Sequence, residues 1–217
     1  YFLLFFLICA QGFLGWYMVE SGLVDRVDVS HYRLASHLCL AFVILSITFW
    51  YILERYKINS FDKKLPSLLL IIIFIFIFFQ IILGAFLAGL DGGLIYNTWP
   101  DMNGKFLPDD VSIASFFSSE SFNTPSIIQF IHRKMAYILF ILILYLNIVY
   151  IYKKLPIINI LLFDLAVLFQ IFLGVITLLS GAKIFYASLH QIGSIIVVSS
   201  FLYICYKNIN TNLQPSN

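Results

Sequence analysis

Charge is what this chain has least of. Lys, Arg, Asp and Glu make up 11% of its 217 residues, while 61% are hydrophobic and the mean hydropathy is +0.96. A soluble domain is roughly 25% charged, so the composition excludes a water-soluble globule and predicts a polytopic membrane protein. The net charge of +2 comes from scattered basic residues rather than a basic stripe, which argues against nucleic acid as a partner. Cysteine is also scarce. Cys9, Cys39 and Cys205 lie in apolar stretches and none belongs to a CxxC pair. That gives a thiol role or covalent heme attachment little support, and small buried apolar residues are the better reading. Gly89, Gly92 and Gly93 lack the GxxxxGK[ST] context of a phosphate loop, and no HExxH or nucleophile elbow occurs. Acidic residues inside the apolar segments are nearly missing too. Asp164, near an inner helix end, is the sole candidate, which weakens a transporter reading.

What is present is apolar length. A spanning helix needs about 20 mostly apolar residues, and six segments supply them: 1–19, 33–53, 66–89, 127–152, 156–180 and 184–206. Pro66, Pro125 and Pro156 mark starts, where proline costs no helical hydrogen bond. The stretch from Tyr1 to Tyr17 has no basic flank of the kind a signal peptide carries, so it is read as a span. It begins inside an apolar run without an initiator Met, and a segment upstream of it is expected. The tail from Asn208 to Asn217 is polar. Abundant Ile, Phe, Asn and Lys suit an A+T-rich genome and hint at a bacterial endosymbiont.

Basic residues orient the bundle. Arg55, Lys57, Lys63, Lys64, Lys153, Lys154 and Lys207 fall on one side, which is taken as the cytoplasmic one. The other side has Arg26, Lys105 and Lys183, together with Arg33, Arg133 and Lys134 at the outer mouths of the second and fourth spans. These last three run against the charge rule, so an anionic group is expected near them. The outer connection 91–126 carries Asp91, Asp101, Asp109, Asp110 and Glu120. It is long for a structureless loop, and a functional cover is expected there. Its aromatics, Tyr96, Trp99, Phe106, Phe116 and Phe117, fit an interfacial belt as well as a cofactor lid.

Three histidines stand inside the apolar segments: His37, His132 and His190. An ionisable group there is expensive and marks a functional site, and imidazole is a common axial ligand of heme iron. The orientation puts all three near the outer surface. His31 is placed in a polar loop. Residues four apart share a helix face, so Arg33 stacks one turn above His37, where it could pair with heme propionates. Bis-histidine ligation needs two imidazoles at matching depth on facing helices, and His132 and His190 meet the depth condition. Ala41, Ala136, Ser194 and Gly193 beside the histidines suit either a flat porphyrin or close helix packing.

The segments also repeat. Gln11-Gly-Phe-Leu-Gly15, Gln80-Ile-Ile-Leu-Gly84 and Gln170-Ile-Phe-Leu-Gly174 share the pattern Q-x-x-L-G, each followed by a span that carries a histidine. The chain reads as three copies of one hairpin, the middle one with a longer loop. If the ancestral half had four helices, a symmetric protein would have eight, and one N-terminal hairpin would be missing here.

At these residues the chain resembles the heme A synthase family. QGFLGWYMVESGL with VSHYRLASHL is similar to that family's third and fourth helices, and AGLDGGLIYNTWPDMNGKFLPDD to its outer loop. PSIIQFIHR and ASLHQIGSI resemble its sixth- and eighth-helix histidine motifs. The resemblance implies an all-α membrane bundle derived from a duplicated four-helix heme-binding unit. Residues 1–64 would be the remnant of the N-terminal half, 65–206 the complete C-terminal half and 207–217 a cytoplasmic or matrix-side tail. It further implies an oxidoreductase that converts a porphyrin methyl of heme O to formyl, giving heme A for terminal oxidases. His132 and His190 would ligate a heme b cofactor, with Arg133 beside it. His37, with Arg33, would serve the substrate heme, and its mate would lie on helices before Tyr1. The lipid bilayer is the setting, a bacterial inner membrane or else a mitochondrial one. A quinone or other electron acceptor, heme O synthase and a second copy of the chain are partners that the resemblance leaves open. The competing reading is a membrane b-type cytochrome that only relays electrons.

Overall fold

The computed structural model describes residues 2–20 and 28–209. Arg26, Tyr1 and the tail beyond residue 209 lie outside the described residues. Six helices long and apolar enough to cross a membrane are present: α1 (Phe2–Glu20), α2 (His31–Arg55), α3 (Ser67–Gly89), α4 (Pro125–Tyr152), α5 (Ile157–Leu179) and α6 (Ile184–Ile209). Each agrees with its expected segment to within three residues, because hydropathy and proline placement fix both the spans and their starts. Pro125 opens α4, while Pro66 and Pro156 directly precede α3 and α5. Among the described residues there is no strand, only an isolated bridge between Met102 and Lys105.

The helices pair as hairpins. α1 packs on α2, α3 on α4 and α5 on α6, and α2 also lies against α3 and α6. The principal core fills the inner half, where Ile73, Leu146, Tyr150, Phe163, Phe201 and Ile204 are almost wholly enclosed. A smaller outer cluster joins Ala35, Leu83, Phe86 and Ile128. Leu68, Ile71 and Ile75 of α3 face outward, as a helix apolar all round requires in lipid.

Polar ties close the inner end. Asn208 accepts from Leu65 N at 2.6 Å and donates to Leu65 O at 3.2 Å, so one amide replaces the ladder partners this segment lacks. Phe61 N donates to Lys207 O at 2.8 Å, and the Tyr150 hydroxyl to Pro156 O at 3.1 Å. Asp164 of α5 accepts from Asn147 Nδ2 of α4 at 2.9 Å, a polar contact between two helices.

One expectation fails. His31 is not in a loop but is the first residue of α2, and only 6% of it is exposed. The helix starts earlier because Ser30 O accepts from Leu34 N, closing a first turn upstream of the apolar run. The His31 ring stands edge-on to Phe86, 5.2 Å between centroids. Its backbone passes so near Gly89 that a Cβ there would lie 2.7 Å from His31 Cα. Glycine is what lets α3 end against the start of α2.

Candidate functional site

The three membrane histidines lie six or seven residues from the outer ends of their helices, about 10 Å deep at 1.5 Å per residue. The three therefore stand at matching positions along α2, α4 and α6. What the sequence did not reveal is how each ring is held. On the partner helix of each hairpin, the glutamine of Q-x-x-L-G donates to the histidine's backbone carbonyl. Gln11 reaches His37 O at 3.1 Å, Gln80 reaches His132 O at 2.9 Å and Gln170 reaches His190 O at 2.9 Å. A helical carbonyl has a second lone pair, which an interhelical donor can take without breaking the helix.

The glycine of the same pattern, one turn further on, makes room for the imidazole. A Cβ on Gly15 would lie 3.1 Å from His37 Cε1, on Gly84 3.5 Å from His132 Cε1, and on Gly174 2.9 Å from His190 Cε1. The same ring edge faces the glycine in all three hairpins. These six Gln and Gly residues were visible as a repeat, but sequence alone gave them no role, because the contact crosses between helices. Of the two readings open for Gly193, the structure shows close helix packing. It stands against the Gln170 side chain and Leu173, so its lack of a Cβ admits the glutamine.

The Nδ1 atoms of His37, His132 and His190 are enclosed without a hydrogen-bond partner. Among the described residues, no hydrogen bond from another residue reaches Nε2 of His132 or His190, unlike Nε2 of His37. His132 on α4 and His190 on α6 are near enough for a charge on one to act on the other.

Arg33 lies over the Tyr17 ring, 4.9 Å from guanidinium carbon to centroid. Arg133 is buried and turns to the outer loop. Nη1 donates to Thr98 O and Asp101 O at 2.8 Å each, and Nη2 to Tyr96 O at 2.5 Å, while Nε has no partner. Lys134 Nζ sits 4.0 Å from the Phe106 ring centroid and 5.1 Å from that of Phe130. The cations that run against the charge rule are thus met by carbonyl dipoles and aromatic faces, both able to stabilise positive charge.

The outer loop is built rather than structureless. Three short 3-10 turns, Gly92–Leu94, Ile113–Phe117 and Ser121–Asn123, break it up. Asn97 ties it to the outer end of α5 through Leu178 O at 2.9 Å, and Gln129 of α4 donates to Tyr96 O at 3.0 Å. The Tyr32 hydroxyl of α2 reaches Asn123 Oδ1 at 3.1 Å. Asp110 accepts from Tyr96 at 2.7 Å and from Ser126 at 2.6 Å. Burial works to raise the Asp110 carboxyl, but these hydrogen bonds outweigh it and hold it below its ordinary value. The same bond pushes the Tyr96 hydroxyl up. Phe106 and Phe116 pack on Phe130, whereas Phe117 is exposed and Trp99 half exposed. The loop thus draws on the outer ends of α2, α4 and α5, above the histidines.

The residues fit a heme. The donors this part of the bundle could offer such a group are the imidazoles of His132 and His190, one on α4 and one on α6. A macrocycle that fills its own equatorial positions takes one or two axial ligands, and imidazole nitrogen is a common one.

Fold and site together define a multi-pass helical membrane protein that presents imidazoles from glycine-relieved hairpins near its outer face. Comparison with known proteins narrows this. Residues 1–202 match the family described as cytochrome oxidase assembly protein. The heme A synthase of Pelagibacter ubique is 58% identical over 210 residues, covering 97% of this chain and 62% of that protein. The heme A synthases of Rickettsia bellii and Rickettsia felis are 39% and 41% identical over 219 residues, covering 98% of this chain and 65% and 64% of theirs. The chain belongs to this family, the heme A synthase family. It spans a little under two thirds of the length of these relatives.

Proposed function

We propose that this chain supplies the heme-binding machinery of a heme A synthase, an oxidoreductase that converts the porphyrin methyl of its substrate heme O to formyl. The observation that carries the reading is the placement of His132 and His190: at matching positions on α4 and α6, with their backbone carbonyls held by Gln80 and Gln170. These two would hold a heme b, which when bound supplies one-electron redox chemistry. His37 would present its Nε2 to the substrate heme, and Arg33, one turn outward, would pair with a propionate. Arg133 would act beside the heme b through the loop, holding Tyr96, Thr98 and Asp101 in place so that the cover excludes water. Residues 65–206 would form the complete four-helix half and 1–64 part of the other. With water supplying the formyl oxygen, the conversion releases four electrons and four protons, and the electrons would leave through an acceptor such as a quinone. A bacterial inner membrane is the expected location.

The test is expression in a strain that makes heme O but no heme A, followed by extraction and chromatography of the pigments. The protein is expressed alone and as a chimera completed with the unmatched remainder of the Pelagibacter relative. Heme A in the chimera supports the synthase. Bound heme b with heme O unconverted in both would instead favour an electron-relay cytochrome.

A further inference from the structure

The three histidines are held alike but not identically. Gln80 and Gln170 donate to the backbone carbonyl of their histidine. Gln11 donates to His37 O at 3.1 Å, and the same Nε2 also lies 3.1 Å from His37 Nε2. Because the carbonyl can only accept, the atom between the two groups must be the amide nitrogen. That nitrogen has two hydrogens and no acceptor capacity. One hydrogen serves the carbonyl, so the other meets the ring, and His37 Nε2 must accept with its lone pair. This is the lone pair a metal ion would need. Among the described residues, Nε2 of His132 and of His190 has no such donor.

We propose that Gln11 is an internal cap on His37. Its amide occupies the coordinating lone pair and has to give way to an incoming iron. His37 is thereby a reversible ligand, suited to a heme that arrives and leaves, whereas the uncapped His132 and His190 suit a resident one. The proposal rests on the heme reading above. Displacement is cheap in structural terms, because Gln11 keeps its bond to the carbonyl.

The test has two arms. In the first, protein produced without heme supply is treated with diethyl pyrocarbonate, which acylates the imidazole lone pair, and peptide mass spectrometry follows each histidine. Gln11→Leu removes the donor and should speed modification of His37 about fivefold, the factor that one hydrogen bond's net worth implies. His132 and His190 should keep their rates, and Gln80→Leu should leave His37 unchanged. An unchanged His37 rate in Gln11→Leu, or an equal rise at all three histidines, overturns the proposal. In the second arm, hemin is titrated into the His132→Ala/His190→Ala protein with and without Gln11→Leu, and Soret absorbance reports binding at His37. Binding about fivefold tighter without the amide is expected, and equal or weaker binding overturns the cap. If hemin binds in neither protein, the heme reading of His37 falls and the proposal with it. The first arm distinguishes that failure from failure of the cap.

Discussion

A histidine can project from a membrane helix only if its ring has somewhere to go, and here that space is a missing Cβ. The gap left is graded. An added Cβ would approach the ring to 2.9 Å at Gly174 and to 3.5 Å at Gly84, and it would meet nothing within 4 Å at Gly12. Gly174→Ala should therefore move the His190 ring and lower heme retention several-fold, while Gly84→Ala is tolerated. Gly12→Ala should raise thermal stability slightly, since alanine in a helix interior gains about 0.5–1 kcal/mol over glycine. Heme-to-protein ratio and melting temperature across the three variants would check this order, and equal loss in all three would contradict it. Arg133 is the other residue whose role is steric as much as electrostatic. Arg133→Met removes three hydrogen bonds to the loop, leaving Tyr96 O with Gln129 and Asp101 O with Thr98 Oγ1 as donors. With hydrogen bonds to a charged group worth about 1.5–3 kcal/mol each, cleavage of the 96–105 segment in limited proteolysis should rise at least tenfold.

At the scale of elements, hydropathy and proline are local properties, so the spans and the positions of the histidines along them were legible in the sequence. Contacts between elements are not local. The pattern Q-x-x-L-G was plain as a repeat, but that its glutamine holds the carbonyl of a histidine 20 residues on at His190, 26 at His37 and 52 at His132 needs the hairpin itself. His31 was misplaced for a similar reason, since its burial comes from Phe86 and Gly89 of another helix. The outer loop was legible as a cover by its length, but its anchors were not. One of those anchors should respond to acid. The Asp110 carboxyl titrates below its usual value of 3.8 in the folded protein. It therefore contributes stability above that value, and the contribution is lost as pH falls through the lower, folded value. Below pH 4 the loop should loosen, read as faster proteolysis, and Asp110→Asn should remove that pH dependence. At the inner end, Asn208→Leu would leave Leu65 N and O without their side-chain partner. A loss of about 1–3 kcal/mol is expected, read as a lower melting temperature with the loop unaffected.

Over the whole molecule, two ends do different work. The inner half packs the large side chains and is closed by Asn208, Tyr150 and the backbone of Phe61. The outer half contains the histidines, the glycines that relieve them and a loop held by Arg133 and Gln129. Stability is concentrated away from the site, which leaves the outer ends free to admit a bulky planar ligand. The account turns on His132 and His190 as a heme-binding pair, and pyridine hemochrome analysis of the purified protein tests that most directly. We predict a b-type heme spectrum in the parent protein, lost in His132→Ala and in His190→Ala but kept in His37→Ala. No bound heme in the parent, or a full Soret band surviving in His190→Ala, would contradict it.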